Sequence, residues 1–445
     1  MKKTVSQAVA RYVHEMTFDL LPNKVQEKAV ACICDYLGCL YSGTSLPLHS
    51  QLLKVAEEDF PNGKSRIVGT DRYTDPVNAA FINGAIASAM ALDDMYKVGI
   101  YHPSVTSVTA ALAIAGKKKV TGKEFVTAVV MGYEISNRIS KACNPSHYKH
   151  FHTSATVGCF CAAMTAAKLL ECTQEQIVWA LGLAGAQAGG LQECNKNSAQ
   201  FLHLGFAARS GVLAALLAKQ NIDGPARILE GDAGFFKAMT KSEANIEELF
   251  SDLGKDYTIL ENSVKAYPCC GNLFAIIDAA LILRERHAIK AEDVLAIEIG
   301  TYQVAILNSG NPDPKNVLEA QFSMAYGAAS ALAKGEFGVR EYEKWPPSRE
   351  IADLIPKVSL YVEEEAERQF PANRGCTMTI RTKEGNFTEV RRFRKGDPEW
   401  PLTKDELFAK FRTLMSYVKS PEEIKSMERA LDDFLNLQDV AEMLV

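Results

Sequence analysis

Apolar positions in residues 1–264 recur at the three- and four-residue spacing of helices. In the segment 22–43, Val25, Ala29 and Ile33 share one face of such a helix, which ends in glycine. Other helices open with a capping box, in which Ser or Thr precedes Glu or Gln by three positions. Boxes of this kind begin at Thr121, Thr173, Thr403 and Ser420. The pattern predicts a domain built of successive helices.

Two of the predicted helices, in segments 153–170 and 205–220, consist mostly of small side chains. Small residues occupy more than one face of each, so the helix backbones can approach their neighbours closely. We therefore expect these two helices at the centre of the helical domain. No segment of the chain approaches the uninterrupted apolar length of a membrane span, so we expect no membrane partner.

The pattern changes after Lys265. Segment 293–307 alternates like a β-strand, and segment 376–393 has the pattern of a β-hairpin that turns at residues 383–386. Helical spacing returns near the end of the chain. We predict a mainly α fold, in which a smaller α+β lid domain is inserted before the last helices of a large all-α domain. The predicted boundaries are 1–264 for the first part of the helical domain, 265–402 for the lid domain and 403–445 for the C-terminal helices.

Composition narrows the class of protein. With 445 residues the chain exceeds one ordinary core, and 47% apolar with 23% charged residues is typical of globular proteins. The net charge of −5, without a basic block, argues against a nucleic-acid partner. The 11 cysteines include several in apolar helical segments, where buried reduced thiols are common. Charged residues interrupt the N-terminal segment, so we expect no signal peptide and a cytoplasmic protein.

The first candidate for chemistry is His102, in the sequence YHPSV. Proline suits the first position of a helix, so we predict that His102 is the N-cap of the helix that follows. There the imidazole faces unpaired backbone N–H groups and the positive end of the helix dipole. That field favours the neutral, proton-accepting ring and attracts anions. A histidine that only caps the helix is the alternative interpretation.

The sequence HYKHFHTSATVG repeats this arrangement, with His152 ahead of a capping pair and a small-residue helix. Two histidines at the mouths of closely packed helices can converge on one anionic ligand. The competing interpretation is a metal site formed by His147, His150 and His152. Their H-x-x-H-x-H spacing is not a familiar tetrahedral pattern, and no acidic or C-x-x-C partner stands nearby in the sequence. We therefore predict no metal.

Two carboxylates, Asp93 and Asp94, end the predicted helix that precedes His102. Carboxylates at a helix C-terminus oppose the dipole and repel each other, so we expect one raised pKa and a candidate acid. Lys265 stands just before Tyr267 at the predicted domain junction, where an ammonium group can clamp a carboxylate. Exposed aspartates and a solvated lysine are the competing interpretation.

A set of separated motifs runs along nearly the whole chain. In order they are NGAIASAMALDD…YHPS, GYE, HFHTSATVG, LHLGFAARSGVLAALLA, GPARILEGDAGFF, KAYPCC…AIIDA and EAQFSMAYGAASALAKG. Together they resemble the MmgE/PrpD family. The resemblance implies a helical domain, a smaller α+β lid and a homodimer. It also implies an enzyme that acts on small carboxylic acids without a metal or an organic cofactor.

The resemblance further implies roles for individual residues. The catalytic roles fall to His102 and His152, with Asp93 or Asp94 as the reserve acid. In these roles the two histidines transfer protons, and substrate-binding groups hold the anion and steady its enolate-like charge. The substrate-binding roles fall to Lys265 and Tyr326, with Gln200 and His203 as orienting polar groups.

Other positions depart from the family's pattern. Its H-x-x-D-x-D-D motif reads SAMALDD here, so Ser88 replaces the histidine and Ala91 replaces the first aspartate. Met95 stands where the family's decarboxylase has threonine, Gln200 replaces a lysine, and residues 271–274 replace R-H-x-H. Each cationic group helps to neutralise about one carboxylate in a low-dielectric cleft. The losses therefore predict a substrate with fewer carboxylates, or with some replaced by neutral groups.

We therefore expect a lyase that moves a proton α to a carboxylate, by dehydration or decarboxylation, but not by standard 2-methylcitrate dehydration. The first alternative is an isomerase or epimerase that uses both histidines. The second is a non-catalytic relative that binds a small metabolite, because the family's aspartate and lysine are missing at Ala91 and Gln200.

Overall fold

The structure is a computed structural model that describes residues 4–194, 197–241, 246–342, 345–370 and 372–444. In chain order its helices are α1 (Val5–Glu15), α2 (Asn23–Gly43), α3 (Pro47–Asp59), α4 (Pro76–Ala87), α5 (Pro103–Ala115), α6 (Gly122–Cys143), α7 (Thr153–Thr156), α8 (Gly158–Leu169), α9 (Gln174–Gly185), α10 (Ala199–Lys219), α11 (Phe235–Met239), α12 (Ile246–Leu249), α13 (Phe274–His287), α14 (Gln303–Ser309), α15 (Val317–Ala320), α16 (Met324–Lys334), α17 (Arg349–Leu354), α18 (Glu364–Gln369), α19 (Lys404–Met415) and α20 (Pro421–Asp432). Its strands are β1 (Asn62–Arg66), β2 (Tyr73–Thr74), β3 (Val294–Thr301), β4 (Val358–Val362), β5 (Cys376–Thr382) and β6 (Gly385–Arg391).

The helices begin where the capping boxes predict. At the start of α6, the Thr121 hydroxyl accepts a hydrogen bond from the backbone N–H of Glu124, and the Glu124 carboxylate accepts one from the N–H of Thr121. The same reciprocal pair opens α9, α19 and α20. Each box satisfies two donors that a helix end leaves unpaired. These helix starts are therefore set by local side chains.

The chain divides into two compact units. Unit 1 comprises residues 1–264 and 403–445, and unit 2 comprises residues 265–402. In its described residues, unit 1 is helical apart from the two-stranded β1–β2 ribbon, whereas unit 2 holds a four-stranded sheet. The predicted fold class is confirmed: a large, mainly helical domain is accompanied by a domain with a small mixed sheet.

Small residues let the central helices of unit 1 touch backbone to backbone. Helix α10 packs against α4, α5, α8 and α9. A Cβ added to Gly205 would lie 2.4 Å from the carbonyl oxygen of Phe81, and one added to Gly211 would lie 2.5 Å from the nitrogen of Ala163. No side chain larger than hydrogen fits at such distances. The expectation of closely packed central helices is confirmed for α8 and α10.

Helix α10 also corrects the expectation about membrane-length segments. Its residues, Ala199–Lys219, are long and apolar enough to cross a membrane by length and composition alone. Just over half (56%) of its most apolar window is buried inside the protein, where α10 contacts α4, α5, α7, α8 and α9 of unit 1. Core helices of globular proteins commonly have this composition. Its apolar length is explained by packing within unit 1.

Unit 2 is built on a mixed sheet with the strand order β4-β3-β5-β6. Strand β3 pairs parallel with β4 and antiparallel with β5, and β5 and β6 form the predicted hairpin, whose turn begins at Lys383. The strand predicted over 293–307 ends at Thr301, however, and α14 begins at Gln303. That part of the prediction is wrong, because the apolar residues after Tyr302 also fit a short amphipathic helix.

Candidate active site

The acidic pair lies in an irregular segment and not at a helix end. Helix α4 ends at Ala87 and α5 begins at Pro103, with the buried residues Asp93 and Asp94 between them. The prediction that these aspartates end the preceding helix is therefore wrong. The chain turns at Ala91, which has a left-handed φ of 54° that no α-helix continues. Asp94 consequently reaches the N-terminal end of α5.

Asp94 is the side chain that caps α5. Its Oδ1 accepts the N–H of Ser104 at 3.0 Å, while Oδ2 accepts the Tyr133 hydroxyl at 2.8 Å and the Asn262 amide at 3.0 Å. Burial raises the pKa of Asp94, and hydrogen bonds from Ser104 and Tyr133 oppose that shift. The expected raised pKa is present, but burial is its main cause and the helix dipole is not. Because the Asp94 carboxylate accepts hydrogen bonds from three donors, it stabilises the N-terminus of α5 and its contacts with Tyr133 and Asn262.

His102 occupies the predicted N-cap position of α5, but its side chain does not cap the helix. Its Nδ1 lies 2.8 Å from the carbonyl oxygen of Asp94 and 3.0 Å from Oδ2 of Asp93. Both partners are acceptors, so Nδ1 carries the proton and Nε2 of the neutral ring keeps a lone pair. About a quarter of the side chain (24%) is exposed. His102 is therefore held in a tautomer that can accept a proton at Nε2.

A buried lysine supports the segment that carries Asp93. Lys410, on α19, donates to Oδ1 of Asp35 on α2 and, at 2.9 Å, to the carbonyl oxygen of Leu92. Burial raises the pKa of Asp35 to about 6, while the neighbouring ammonium opposes that shift. Burial disfavours the charged lysine, but the carboxylate of Asp35 leaves the pKa of Lys410 above its ordinary value. Two distant segments of the chain thus fix the backbone next to Asp93.

His152 stands at the N-cap position of α7, where its backbone N–H donates to the carbonyl oxygen of Gly190 at 3.0 Å. Its Nδ1 lies 3.2 Å from Nδ1 of His203, so one of the two rings donates a proton to the other. Burial lowers the pKa of His152 to about 3, with smaller contributions from the charges of His102 and His203. His152 is therefore neutral near pH 7, as expected, mainly because it is desolvated.

The first turns of α10 supply the partner of His152. His203 is buried, and burial lowers its pKa as well. Gln200 lies one helical turn earlier on the same helix and is partly buried. Gly190, whose φ is 135°, passes so close that an added Cβ would lie 3.6 Å from the ring of His203 and 2.3 Å from the Cβ of Ala155. Only glycine fits beside this imidazole pair.

The two histidine-bearing helix entrances adjoin each other. The backbone N–H of His102 donates to the Ser154 hydroxyl at 3.2 Å, and Ser154 lies in α7 two residues after His152. The charge of His102 also contributes to the lowered pKa of His152. The structure therefore brings His102, His152, His203 and Asp93 together in one part of unit 1.

The histidines of the alternative metal site are used differently. His147 is buried, with Nδ1 2.9 Å from the carbonyl oxygen of Met239 and Nε2 2.7 Å from the Thr156 hydroxyl. His150 is exposed. Over the described ranges no three His, Cys, Asp or Glu side chains form a group that could hold a metal ion. His147 thus has a structural role, because both of its ring nitrogens already have protein partners.

The other two residues predicted to bind substrate belong to unit 2. Lys265 is buried where unit 2 begins. Tyr326 is fully buried on α16, where its ring stacks on Tyr342 and its hydroxyl donates to the carbonyl oxygen of Glu341. The Tyr326 hydroxyl therefore serves the core of unit 2. The assignment of Lys265 and Tyr326 to substrate binding stays a prediction.

Three residues that support His102 and Asp94 were not predicted from the sequence. Tyr133 lies in the GYE motif, which contributes to the family resemblance but did not indicate a role for the tyrosine. Asn262 and Lys410 lie in polar stretches of sequence, and no local sequence pattern distinguishes either residue. The DDxYxxxxxHPS spacing would have suggested that an aspartate backs the histidine, since only seven residues separate Asp94 from His102.

The buried His152 and His203 and the partly exposed His102, which contacts Asp93, form an arrangement typical of acid–base sites, and comparison with known proteins identifies the family. The MmgE/PrpD N-terminal domain matches residues 7–247, and the MmgE/PrpD C-terminal domain matches residues 267–433. The chain therefore belongs to the MmgE/PrpD family, as its motifs predict. Part of the second match, residues 403–433, lies in unit 1 of the structure.

Curated relatives are distant but cover almost the whole chain. Cis-aconitate decarboxylase of Aspergillus terreus is 26% identical over 100% of this chain and 96% of its own length. Human cis-aconitate decarboxylase is 25% identical over 99% of this chain and 93% of its own length. The 2-methylcitrate dehydratase of Escherichia coli K12 is 24% identical over 87% of this chain and 83% of its own length.

Proposed function

We propose that this chain is a lyase that transfers a proton at the carbon α to a carboxylate of a small carboxylic acid, by decarboxylation or dehydration. The observation that carries the proposal is the arrangement of His102, whose Nδ1 is held by Asp93 and by the Asp94 carbonyl so that Nε2 is left to react. The relatives named above, decarboxylases and dehydratases of small carboxylic acids, support the reaction class.

His102 is the proton carrier in this mechanism. In dehydration, Nε2 takes the proton from the α carbon and the C–H electron pair moves toward the carboxylate as an enolate; the β-hydroxyl then takes that proton from Nε2 and leaves as water while the C=C bond forms. In decarboxylation, Nε2 first takes a proton from solvent; the C–C bond then breaks, its electron pair stays on the α carbon as CO₂ leaves, and Nε2 gives its proton to that carbon. The Asp93 carboxylate at 3.0 Å stabilises the imidazolium in both directions. The proposed steps need no metal or organic cofactor.

His152 has a different task. A ring whose pKa is lowered to about 3 is a weak base, but its neutral N–H is a good hydrogen-bond donor to an enolate oxygen. His203 sets which nitrogen of His152 carries the proton, through the contact between the two Nδ1 atoms. We assign His152 to stabilising the enolate, and His203 to orienting His152.

The lowered pKa of His152 argues against the epimerase alternative. Epimerisation by two bases needs a second imidazole that accepts a proton near pH 7, and the lowered pKa of His152 opposes this. A non-catalytic, metabolite-binding protein would have no need of a tautomer fixed at His102. Both alternatives are outcomes of the first experiment.

That experiment follows deuterium incorporation from solvent, together with product formation, by NMR on a panel that includes cis-aconitate, 2-methylcitrate and smaller mono- and dicarboxylates. We expect a carboxylate that loses CO₂ or water, and a rate about 10³-fold lower in His102→Gln and about 10²-fold lower in His152→Gln. His150→Gln is the matched control, because His150 is exposed two residues before His152. Exchange with inversion and no loss of a group supports an epimerase; binding without exchange in the whole panel overturns catalysis.

A second experiment addresses the substrate. Gln200 hydrogen-bonds but cannot neutralise a carboxylate, so we propose a substrate with fewer carboxylates than methylcitrate, or with neutral groups in their place. The double variant Ala91→Asp, Gln200→Lys restores the family pattern. Position 91 has a φ of 54°, which aspartate adopts more readily than most residues. If 2-methylcitrate dehydration appears, these positions determine the specificity; if it does not, the rest of the cleft differs.

The remaining expectations stand as proposals of the same kind. We propose a homodimer, as the family resemblance implies, and a cytoplasmic location, which the cysteines in apolar helical segments favour. Sedimentation equilibrium of the full chain tests the dimer, and fractionation of the source cells tests the location.

A further inference from the structure

A short backbone hairpin, residues 96–101, directly precedes His102. The N–H of Tyr96 donates to the carbonyl oxygen of Tyr101 at 2.7 Å, and the N–H of Tyr101 donates back to Tyr96 at 3.3 Å. In the turn between them, Ile100 has a left-handed φ of 48°, which a β-branched residue rarely adopts. Such strain persists only where the surrounding structure imposes it. The hairpin therefore depends on contacts from outside itself.

The side chain of Asn144, at the C-cap of α6, supplies such a contact. Its Oδ1 accepts the backbone N–H of Tyr148 at 3.1 Å, which fixes the orientation of the amide. Its Nδ2 lies within hydrogen-bonding distance of the Gly99 and Ser140 carbonyl oxygens and of the Thr153 hydroxyl. The Ser140 carbonyl also accepts the backbone N–H of Asn144 at 3.2 Å. The two hydrogens of Nδ2 are therefore assigned to Gly99 and Thr153.

These two hydrogen bonds join the segments that carry the histidines. Gly99 lies in the hairpin, three residues before His102. Thr153 is the first residue of α7 and immediately follows His152. The amide bridge adds to the hydrogen bond from the His102 N–H to the Ser154 hydroxyl. The segment of His102 is thus tied to α7 at two points, one at the histidine itself and one at the turn before it.

The close approach of Gly99 to α6 strengthens the bridge. A Cβ added to Gly99 would collide with the Ser140 hydroxyl and would lie 2.8 Å from the ring of Tyr96. The Ser140 hydroxyl donates to the Asn137 carbonyl at 2.8 Å, so it is itself held in place. A side chain at position 99 would therefore push the hairpin away from α6. Shape and hydrogen bonding together fix the turn.

We propose that Asn144 is a positioning residue, which holds His102 and His152 in the relative position that proton transfer and enolate binding require. The inference rests on the proposed function, which assigns these tasks to the two rings. Asn144 acts through the backbone of both histidine segments and not through the reacting atoms. A displacement of about 1 Å between groups that act in one transition state lowers the rate by about 10²-fold.

The first test is Asn144→Leu, which nearly keeps the shape of the side chain but removes its hydrogen-bonding groups. At a temperature well below unfolding, kcat in the NMR assay should fall about 10- to 100-fold while KM stays within about threefold, because the transition state requires more exact geometry than substrate binding does. The midpoint of the pH profile should not move, because Asp93 still contacts Nδ1 of His102. A shifted midpoint would mean that Asn144 affects protonation of His102, and it would overturn the positioning role.

Further variants separate positioning from folding. Thr153→Val removes one end of the bridge and should lower kcat about tenfold, and Thr153→Ser, which keeps the hydroxyl, should restore it. The matched control is Ser146→Ala. Ser146 is also partly buried, but its hydroxyl bonds to the Thr240 hydroxyl and the Lys241 N–H, so its loss should lower the melting temperature and leave kcat unchanged. An equal loss of kcat in this control, or no recovery in Thr153→Ser, overturns the proposal.

A second measurement does not depend on activity. Hydrogen exchange with mass spectrometry follows the Tyr96 and Tyr101 amides, which close the hairpin. They should exchange at least about tenfold faster in Asn144→Leu, and at the wild-type rate in Ser146→Ala. Unchanged exchange in Asn144→Leu overturns the bridge, whatever reaction the chain performs. Faster exchange with unchanged kcat overturns the positioning role, whereas a wild type without lyase activity refutes the proposed function and leaves the exchange rates to decide the bridge.

Discussion

The N-termini of α5 and α7 in the candidate active site have similar local sequences, but the histidine at each N-terminus has different hydrogen-bond partners. Each places a histidine immediately before a helix, and in neither does the imidazole cap that helix. At α5, His102 is held by a carboxylate and a carbonyl and keeps about a quarter of its side chain exposed. At α7, His152 is buried and held by another imidazole.

The partner of Nδ1 therefore determines the chemical role of each imidazole ring. A carboxylate partner stabilises the protonated ring, so His102 can take up a proton and release it. An imidazole partner supplies no negative charge, and burial then keeps His152 neutral. Four predictions test this contrast between the two rings.

The largest effect is expected from the anchor of His102. In Asp93→Asn, the negative charge that stabilises the imidazolium is lost, so the rate of deuterium exchange should fall about 10³-fold with little change in melting temperature. Asp93→Glu should restore part of the rate and shift its pH profile. A variant as fast as the wild type would show that His102 acts without this carboxylate.

The second prediction concerns the cap of α5. Asp94→Ala leaves the Ser104 N–H, the Tyr133 hydroxyl and the Asn262 amide without their acceptor, so the free energy of unfolding should fall by about 3 kcal/mol. Urea denaturation measures it. Asp94→Asn keeps one carbonyl oxygen and should lose less. Equal losses in the two variants would mean that shape, and not hydrogen bonding, determines the entrance.

The third prediction tests the support of His152. Alanine at Gly190 would need the strained φ of 135° and would place its Cβ 2.3 Å from the Cβ of Ala155, so Gly190→Ala should cost about 2 kcal/mol of unfolding free energy. The matched control is Gly189→Ala, whose Cβ would meet nothing closer than 3.9 Å. A control that is destabilised as much would locate the effect in the loop and not in the imidazole pair.

The smallest effect is on the pH dependence of stability. With its folded pKa lowered to about 3, His152 binds fewer protons in the folded chain than in the unfolded chain between that value and about 6.5. Stability therefore falls as the pH drops through this window, by at most about 1.4 kcal/mol per pH unit for one proton. His152→Gln should flatten the slope measured by urea denaturation from pH 6 to pH 4, and His150→Gln should leave it unchanged.

The helix starts and the N-cap positions of both histidines could be predicted because they depend on neighbours in sequence. Capping boxes and the His-Pro step act within four residues, so the local sequence at Thr121, Thr173 and His102 is sufficient to predict where these helices begin. The hairpin of β5 and β6 was predictable for the same reason.

The supports of the site could not be predicted, because they come from far along the chain. Asn262 reaches Asp94 across 168 positions, and Lys410 reaches Leu92 across 318. The error over Asp93 and Asp94 has the same origin. Helical propensity continues past Ala87, but the turn at Ala91 and the burial of two carboxylates depend on donors that only the folded unit supplies.

The bond from Lys410 to the Leu92 carbonyl also has a consequence for synthesis. The segment that carries Asp93 leaves the ribosome early, but α19, which holds its supporting ammonium, emerges only after all of unit 2. Until α19 is synthesised, the buried carboxylate of Asp35 lacks its ion-pair partner, the ammonium group of Lys410. The helical domain is thus expected to complete its packing only at the end of translation.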